Sequence, residues 1–391
     1  MLHDNKISAQ ILIPSNDNIL FSAKRLQQGK LVAFPTETVY GLGANALNED
    51  AVKKIFIAKG RPLTNPLIVH VASLEMANAL LQLDEDQQLL FSYLASCFWP
   101  GPLTIVAKAA AHIPELLMAG GEYIGIRYPK HPIAIELIAH AGLPLAGPSA
   151  NRSSHVSPTS AKHVLDDLGH ADLAILDGGE CQVGIESTVI KINDDGFLYM
   201  LRRGAITPKI IEDVLEKSPC RQRVIRITDS HINSDVALQA PGQLLTHYAP
   251  TIPAYILSKQ SFENGQFTTT PSFALTTCAV VDFCGTWSKL ANHTTSYIDL
   301  SKTGNPHEAA AKLFTVLRSI EKMPDITAIL LPDLSHTNDD DLRAIFDRIY
   351  RAASGQFIYI NHDNALLFKT QVDQKSTLTV SDHNTPELLP F

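Results

Sequence analysis

The chain lacks the features that most readily declare a function. It has five cysteines in 391 residues, at positions 97, 181, 220, 278 and 284. None forms a C-x-x-C pair or a metal-ligand spacing, so no disulfide framework or zinc site is expected, and reduced thiols in a cytoplasmic protein are. No segment approaches the ~20 apolar residues of a membrane span. The opening "MLHDNKISAQILIPSNDN" has no basic start followed by a long apolar run, so no signal peptide is expected. Positive charge is not in excess: 32 Lys and Arg stand against 40 Asp and Glu, a net charge of -8. That balance does not imply a general nucleic-acid surface. G-x-x-x-x-G-K-[ST], H-E-x-x-H, G-x-S-x-G and G-x-G-x-x-G are all missing, and there are no internal repeats.

The chain does have the composition of a folded globular protein, 45% hydrophobic and 18% charged. Residues 1–217 alternate between strand and helix patterns. "LVAF", "LIVHV", "LTIVAKA", "IGIRYP", "LPLAG", "LAILDGG", "STVIKI" and "FLYML" read as strands. "EDAVKKIFIAKG" reads as a helix closed by Gly60, and "SPTSAKHVLDDLG" as one capped by Ser157 with Pro158 at its first position. This predicts an α/β domain with a mixed, twisted sheet. Residues 218–250 have little periodicity and read as a linker or a functional loop. A second, Rossmann-like α/β unit follows over 251–370. Its strands are "PAYIL", "CAVVDF" and "AILLP", and its helices are "NPHEAAAKLFTVLRSIEK" and "NDDDLRAIFDRIYRAAS". Residues 371–391 read as a loosely held tail.

Ligands in open α/β sheets bind beyond the carboxyl ends of strands. Five such places carry polar groups. "FPTETVYGLGANA" puts Thr36 and Thr38 after a buried strand, with Gly41 and Gly43 permitting close backbone approach. "KGRPLTNPLIVHV" offers Lys59 as a point charge, Arg61 as a planar fork, then Asn65 and His70. In "IGIRYPKHP", Arg127 ends an apolar strand and needs an internal carboxylate or a bound anion. "LAGPSANRSSHVSPTSAKHV" runs through Gly147, Ser149 and Asn151 to Ser157, which is either a simple cap or part of an anion site. "GGECQVGIESTVIKI" and "LYMLRRGAI" add Ser187 and Arg202. The set has anion-binding groups and hydroxyls but no legible nucleophile or acid–base pair. It suits a nucleoside triphosphate and a small zwitterion, with catalysis by positioning and charge stabilisation.

Taken in order, "PTETVYGLG", "KGRPLTNPL", "WPGPLTIV", "RYPKHP", "PSANRSSHVSPTS", "GIESTVI" and "LRRGAIT" closely resemble the YrdC/Sua5 family of L-threonylcarbamoyladenylate synthases. "APGQLLTHYAP" and the second unit resemble its longer Sua5 branch. The resemblance implies a YrdC-like mixed sheet plus a smaller Sua5 domain, and a reaction of L-threonine, bicarbonate or CO2 and ATP. Its products would be threonylcarbamoyl-AMP and pyrophosphate, for modification of adenosine 37 in tRNA.

The resemblance also distributes roles. Thr36, Thr38, His70, Arg127, Gly147 and Ser187 would meet threonine. Lys59, Arg61, Asn65, Tyr123, Ser149, Asn151, Ser157, Arg202 and His247 would meet ATP, with Lys59 and Arg61 as the catalytic charges and Mg2+ on the phosphates. A cytoplasmic monomer is expected, with tRNA and the downstream transferase as partners and the linker as a lid. Two departures stand out. "PGQLLTHYAP" replaces the usual PGMKYxHYAP, and Arg203 occupies a position that is often proline. The rival readings are another carbamoyl-adenylate-forming enzyme and an RNA-binding module.

Overall fold

The computed structural model describes residues 8–218, 225–227, 241–242, 244–258, 267–269, 271–360 and 366–369. The expected tail 371–391 lies outside them, as does most of 219–240. In chain order the first unit contains β1 (Gln10–Leu12), α1 (Asn16–Gln27), β2 (Leu31–Phe34), β3 (Gly41–Asn45), α2 (Glu49–Lys59) and β4 (Ile68–His70). Next come α3 (Leu74–Asn78), α4 (Glu85–Phe98), β5 (Leu103–Lys108), β6 (Tyr123–Arg127), α5 (Pro132–Ala141) and β7 (Leu145–Ala146). It ends with α6 (Ala161–Leu168), β8 (Leu173–Leu176), β9 (Thr188–Ile192), β10 (Leu198–Arg202), α7 (Pro208–Leu215) and β11 (Ile225–Ile227).

These strands make one 11-stranded mixed sheet, in the order β1-β8-β2-β3-β7-β4-β6-β5-β9-β10-β11. β11 pairs in parallel with β10, so the segment read as linker also contributes a strand to this sheet. The helix ends follow local chemistry. Ser15 accepts from Asn18 N and starts α1. Asn48 does the same for α2, which Gly60 closes in the left-handed region at φ 62°.

One expectation is corrected here. The helix after Asn151 starts at Ala161 with Ser160, not Ser157, as its cap. Both serines fit a cap in sequence, but the backbone at Pro158 is used elsewhere: its carbonyl accepts from Tyr40 N. The stretch before Ser160 is therefore held extended against the β2–β3 loop, and no helix N-terminus lies beside Ser157.

The second unit contains β12 (Ala254–Ser258), β13 (Phe267–Thr269), β14 (Cys278–Asp282), β15 (Ser296–Asp299) and α8 (Pro306–Ile320). It is completed by β16 (Ala328–Pro332), α9 (Asp340–Ala352), β17 (Phe357–Ile360) and β18 (Leu366–Lys369). Its seven strands run β13-β18-β17-β12-β16-β14-β15. The five from β17 to β15 are mutually parallel, which is the Rossmann-like part; β13 and β18 pair antiparallel at one edge. The four cysteines among the described residues are free. No described helix is long and apolar enough to cross a membrane.

The two units share a core. Val39, Val156 and Ile185 of the first pack with Phe314, Leu317 and Ile349 of the second. Ionic contacts frame it. Arg318 on α8 pairs with Asp167 on α6 at 2.9 Å, both nearly fully buried. His155 sits between Asp167 (Nδ1 to Oδ2, 2.8 Å) and Glu321 (Nε2 to Oε1, 2.9 Å).

Candidate functional site

The ends of β2, β4, β6 and β10 converge on one cavity. It is lined by Thr36, Thr38, Arg61, His70, Arg127, Gly147, Ser149, Ser187, Arg202 and His247, together with Tyr40, Glu186, Pro241, Gly242 and Tyr248. Sheet register explains part of this. His70 and Arg127 are paired across β4 and β6, so both last residues project from the same sheet end.

Arg127 resolves the choice its position posed, and the answer is an internal carboxylate. Its Nη2 lies 2.7 Å from Glu37 Oε1, with both side chains buried. That contact is a charge pair without hydrogen-bond alignment, so Nη2 makes no hydrogen bond. Nη1 donates to Thr38 Oγ1 at 2.8 Å and Nε to the Gly101 carbonyl at 3.3 Å. The Thr36 hydroxyl is spent within its own turn, donating to the Val39 carbonyl at 2.6 Å and contacting Thr38 Oγ1 at 2.9 Å. Gly147 backs His70: a Cβ there would lie 2.7 Å from His70 Nδ1. Burial, then the nearby Arg127, pushes His70 well below its ordinary pKa, so the ring is neutral.

A second group surrounds Arg202. Its Nε and Nη2 donate to the Ser187 carbonyl and Oγ at 3.0 and 3.1 Å, and its Nη1 to the Pro241 carbonyl at 3.2 Å. A register shift between Met200 and Arg202 breaks the β9–β10 ladder where this side chain turns inward. Arg61 donates to Asn65 Oδ1 at 2.6 Å and to the Pro66 carbonyl at 2.9 Å. Burial, and to a lesser degree Arg202, pulls Arg61 down to about 9, which leaves it charged at neutral pH. His247 is buried with Nδ1 unpartnered. Burial and the cations Arg61, Lys59, Arg202 and Arg351 drive its pKa far down. The cavity is therefore electropositive: Arg127 is paired with Glu37, while Arg61 and Arg202 share the wall with one lining carboxylate, Glu186.

Five expected residues are not brought to the cavity wall. Tyr123 opens β6 while Arg127 closes it, roughly 13 Å away at ~3.3 Å per residue. Its hydroxyl donates to Asp194 at 2.8 Å, and Lys191 lies over its ring. Lys59 Nζ is engaged by the carbonyls of Ser149 and Asn151, both at 2.6 Å, and lines an open cleft with Arg152 and His155 instead. Asn65 stands behind Arg61. Asn151 uses its amide to hold the carbonyls of Arg152 and His155. Ser157 donates to Glu186 Oε1 at 2.5 Å. The reading missed Glu37, Glu186 and Tyr248 as parts of the site. Each sits inside a motif already singled out, but its partner is far away in sequence. Among the described residues no group of three or more His, Cys, Asp or Glu is placed to hold a metal ion.

Comparison with known proteins identifies the scaffold. The Sua5, YciO and YrdC family described as "Telomere recombination" matches residues 24–204. That described as "Threonylcarbamoyl-AMP synthase, C-terminal domain" matches 206–354. A threonylcarbamoyl-AMP synthase of Bacillus subtilis is 37% identical over 370 residues, covering 88% of this chain and 96% of its own. One of Pyrococcus abyssi is 43% identical over 241 residues, covering 61% and 67%. A crystal structure of P. abyssi Sua5 complexed with L-threonine superposes with a TM-score of 0.73 at 32% identity, over 90% of this chain and 99% of that one. With both units matched in order and the fold shared over nearly its whole length, the chain belongs to the Sua5/YrdC family in its two-domain form.

Proposed function

We propose that the protein is a threonylcarbamoyl-AMP synthase, a nucleotidyltransferase that joins L-threonine, bicarbonate or CO2 and ATP and releases pyrophosphate. The observation that carries this reading is one cavity with two differently built anion-binding groups. Arg127, Thr38 and His70 suit a small amino acid: Arg127 Nη2, which faces Glu37 without hydrogen-bonding it, would donate to the carboxylate, with a hydroxyl and a neutral imidazole beside it. Arg61, Arg202, Ser149 and His247 suit the nucleotide and its phosphates.

In the reaction the threonine nitrogen bonds to the carbon of CO2 and loses a proton, giving an N-carboxylate. A carboxylate oxygen then attacks the α-phosphorus, and the bond to pyrophosphate breaks. Arg61 and Arg202 offset the charge that builds on the leaving group. Mg2+ would enter with ATP, on its phosphates, as part of the substrate. The product would serve tRNA modification in the cytoplasm, with the protein a monomer that meets tRNA and a downstream transferase.

The test is pyrophosphate release and formation of threonylcarbamoyl-AMP by the purified chain. Turnover is expected only with L-threonine, bicarbonate and ATP together. Turnover with carbamoyl phosphate in place of threonine, or tRNA binding without any threonine-dependent turnover, would overturn the reading.

A further inference from the structure

The cavity's wall is completed by the second unit. We propose that Arg348, on α9, is a positioning residue for the nucleotide: it engages the Glu186 carboxylate so that Glu186 does not pair with Arg202, and Arg61 and Arg202 are left to meet an incoming polyanion. The inference rests on the ATP reading given above and adds to it a role for the second unit.

Arg348 is completely buried. Its Nε donates to Glu186 Oε2 at 3.1 Å and its Nη2 to the Glu186 carbonyl at 3.3 Å. Nη1 donates to the Arg203 carbonyl at 2.6 Å and to Asp347 at 3.0 Å. Ser157 occupies the other oxygen of Glu186. One guanidinium thus fixes the residue before Ser187 and the residue after Arg202, and Ser187 and Arg202 are bonded to each other.

Without this clamp Glu186 would lose its cationic partner. A buried carboxylate cannot stay ionised and unpaired. It would either take a proton or turn to the nearest cation, and the next cation along the wall is Arg202. An Arg202–Glu186 pair would cancel the charge that phosphate binding needs. The clamp on the Arg203 carbonyl matters for a second reason. Arg202 projects from a break in strand register, so its direction is set by how the following residue is held. A purely adhesive role for Arg348, gluing the units together, would not distinguish between substrates; charge control would.

The experiment compares wild type, Arg348→Met, Glu186→Gln and the double variant by steady-state kinetics for each substrate and by calorimetric ATP affinity. Arg348→Met is expected to raise the ATP KM and Kd about tenfold or more while leaving the threonine KM within about twofold. Glu186→Gln in the same chain is expected to return both ATP constants to within about threefold of those of Glu186→Gln alone, because removing the carboxylate removes the competitor. If Arg348→Met fails to fold, Arg348→Lys is read instead; it keeps a charge but cannot span Glu186 and Arg203 together, and the same direction is expected at smaller size. Unchanged ATP affinity in the folded Arg348 variant, or a double variant as weak as Arg348→Met, overturns the inference. Calorimetric ATP affinity is read without turnover. A wild type that binds ATP but makes no threonylcarbamoyl-AMP would therefore count against the proposed reaction and leave the Arg348 comparison decisive.

Discussion

At the scale of single residues, Gly147 shows how closely the amino-acid end of the cavity is fitted. A Cβ there would sit 2.7 Å from His70 Nδ1 and 3.2 Å from Phe34 Cζ, inside contact distance of two rings already edge to face at 5.5 Å. Gly147→Ala is expected to displace His70, raising the threonine KM roughly tenfold and costing about 1–3 kcal/mol of stability as an overpacked core does. Wild-type threonine KM in a folded Gly147→Ala would show that His70 does not set the amino-acid subsite. The sequence made parts of this legible. An arginine ending an apolar strand demanded a partner, and Arg127 has one. Which partner was not legible, because Glu37 lies 90 positions away and nothing local marks it. Ser157 misled for a related reason. A Ser-Pro pair before an apolar run looks like a cap, and only the Tyr40–Pro158 backbone contact, made across the fold, moves the helix start to Ser160.

At the scale of elements, periodicity found the helices of the first unit except the short α3, and its strands except β1, β3 and β11, because those signals are local. Strand order is not local, and neither are the short strands β11, β13, β15 and β18 at or next to sheet edges, which carry little pattern of their own. The contact between α6 and α8 is likewise visible only in three dimensions, and it makes a pH prediction. Both nitrogens of His155 face carboxylates, so the clasp requires the imidazolium. Burial alone would lower its pKa, but hydrogen bonds to Asp167 and Glu321 outweigh that and raise it, while Arg318 opposes. For Asp167 and Glu321 burial is again outweighed, by His155 and Arg318 at Asp167 and by His155 and Thr251 at Glu321, and both are lowered. The raised histidine contributes fully below its unfolded value of about 6.5, and that contribution is lost as pH rises through the folded value. The lowered carboxylates contribute above about 4 and lose their part as pH falls. The clasp is therefore strongest between about pH 4.5 and 6.5. In thermal melts the gap between wild type and His155→Gln is expected to be roughly 2–4 °C near pH 6 and to close toward pH 9. A gap that grows with pH would mean that the histidine is neutral in the clasp.

At the scale of the whole molecule, the described part of the linker touches both units and lines the cavity. Pro241, Gly242, His247 and Tyr248 line it from the linker, as the sequence placed His247, and Tyr248 is 1% exposed. Arg202 holds the Pro241 carbonyl at 3.2 Å, Arg351 the Leu244 carbonyl at 2.6 Å, and Ala249 N donates to the Ser154 carbonyl at 2.8 Å. The free interior is about 40 Å³, the space of a few water molecules. Small-molecule sites run to ~300 Å³ and more, so the cavity must widen before two substrates fit. If the linker is the lid, its opening precedes binding. The observed rate of ATP association in stopped flow is therefore expected to level off with rising ATP, at the opening rate, instead of climbing in proportion. Arg351→Ala, which frees the Leu244 carbonyl, is expected to raise that plateau several-fold and, because the open fraction rises with it, the slope at low ATP as well. A rate that stays proportional to ATP into the millimolar range, and that Arg351→Ala leaves alone, would mean that the substrates enter past a seated lid.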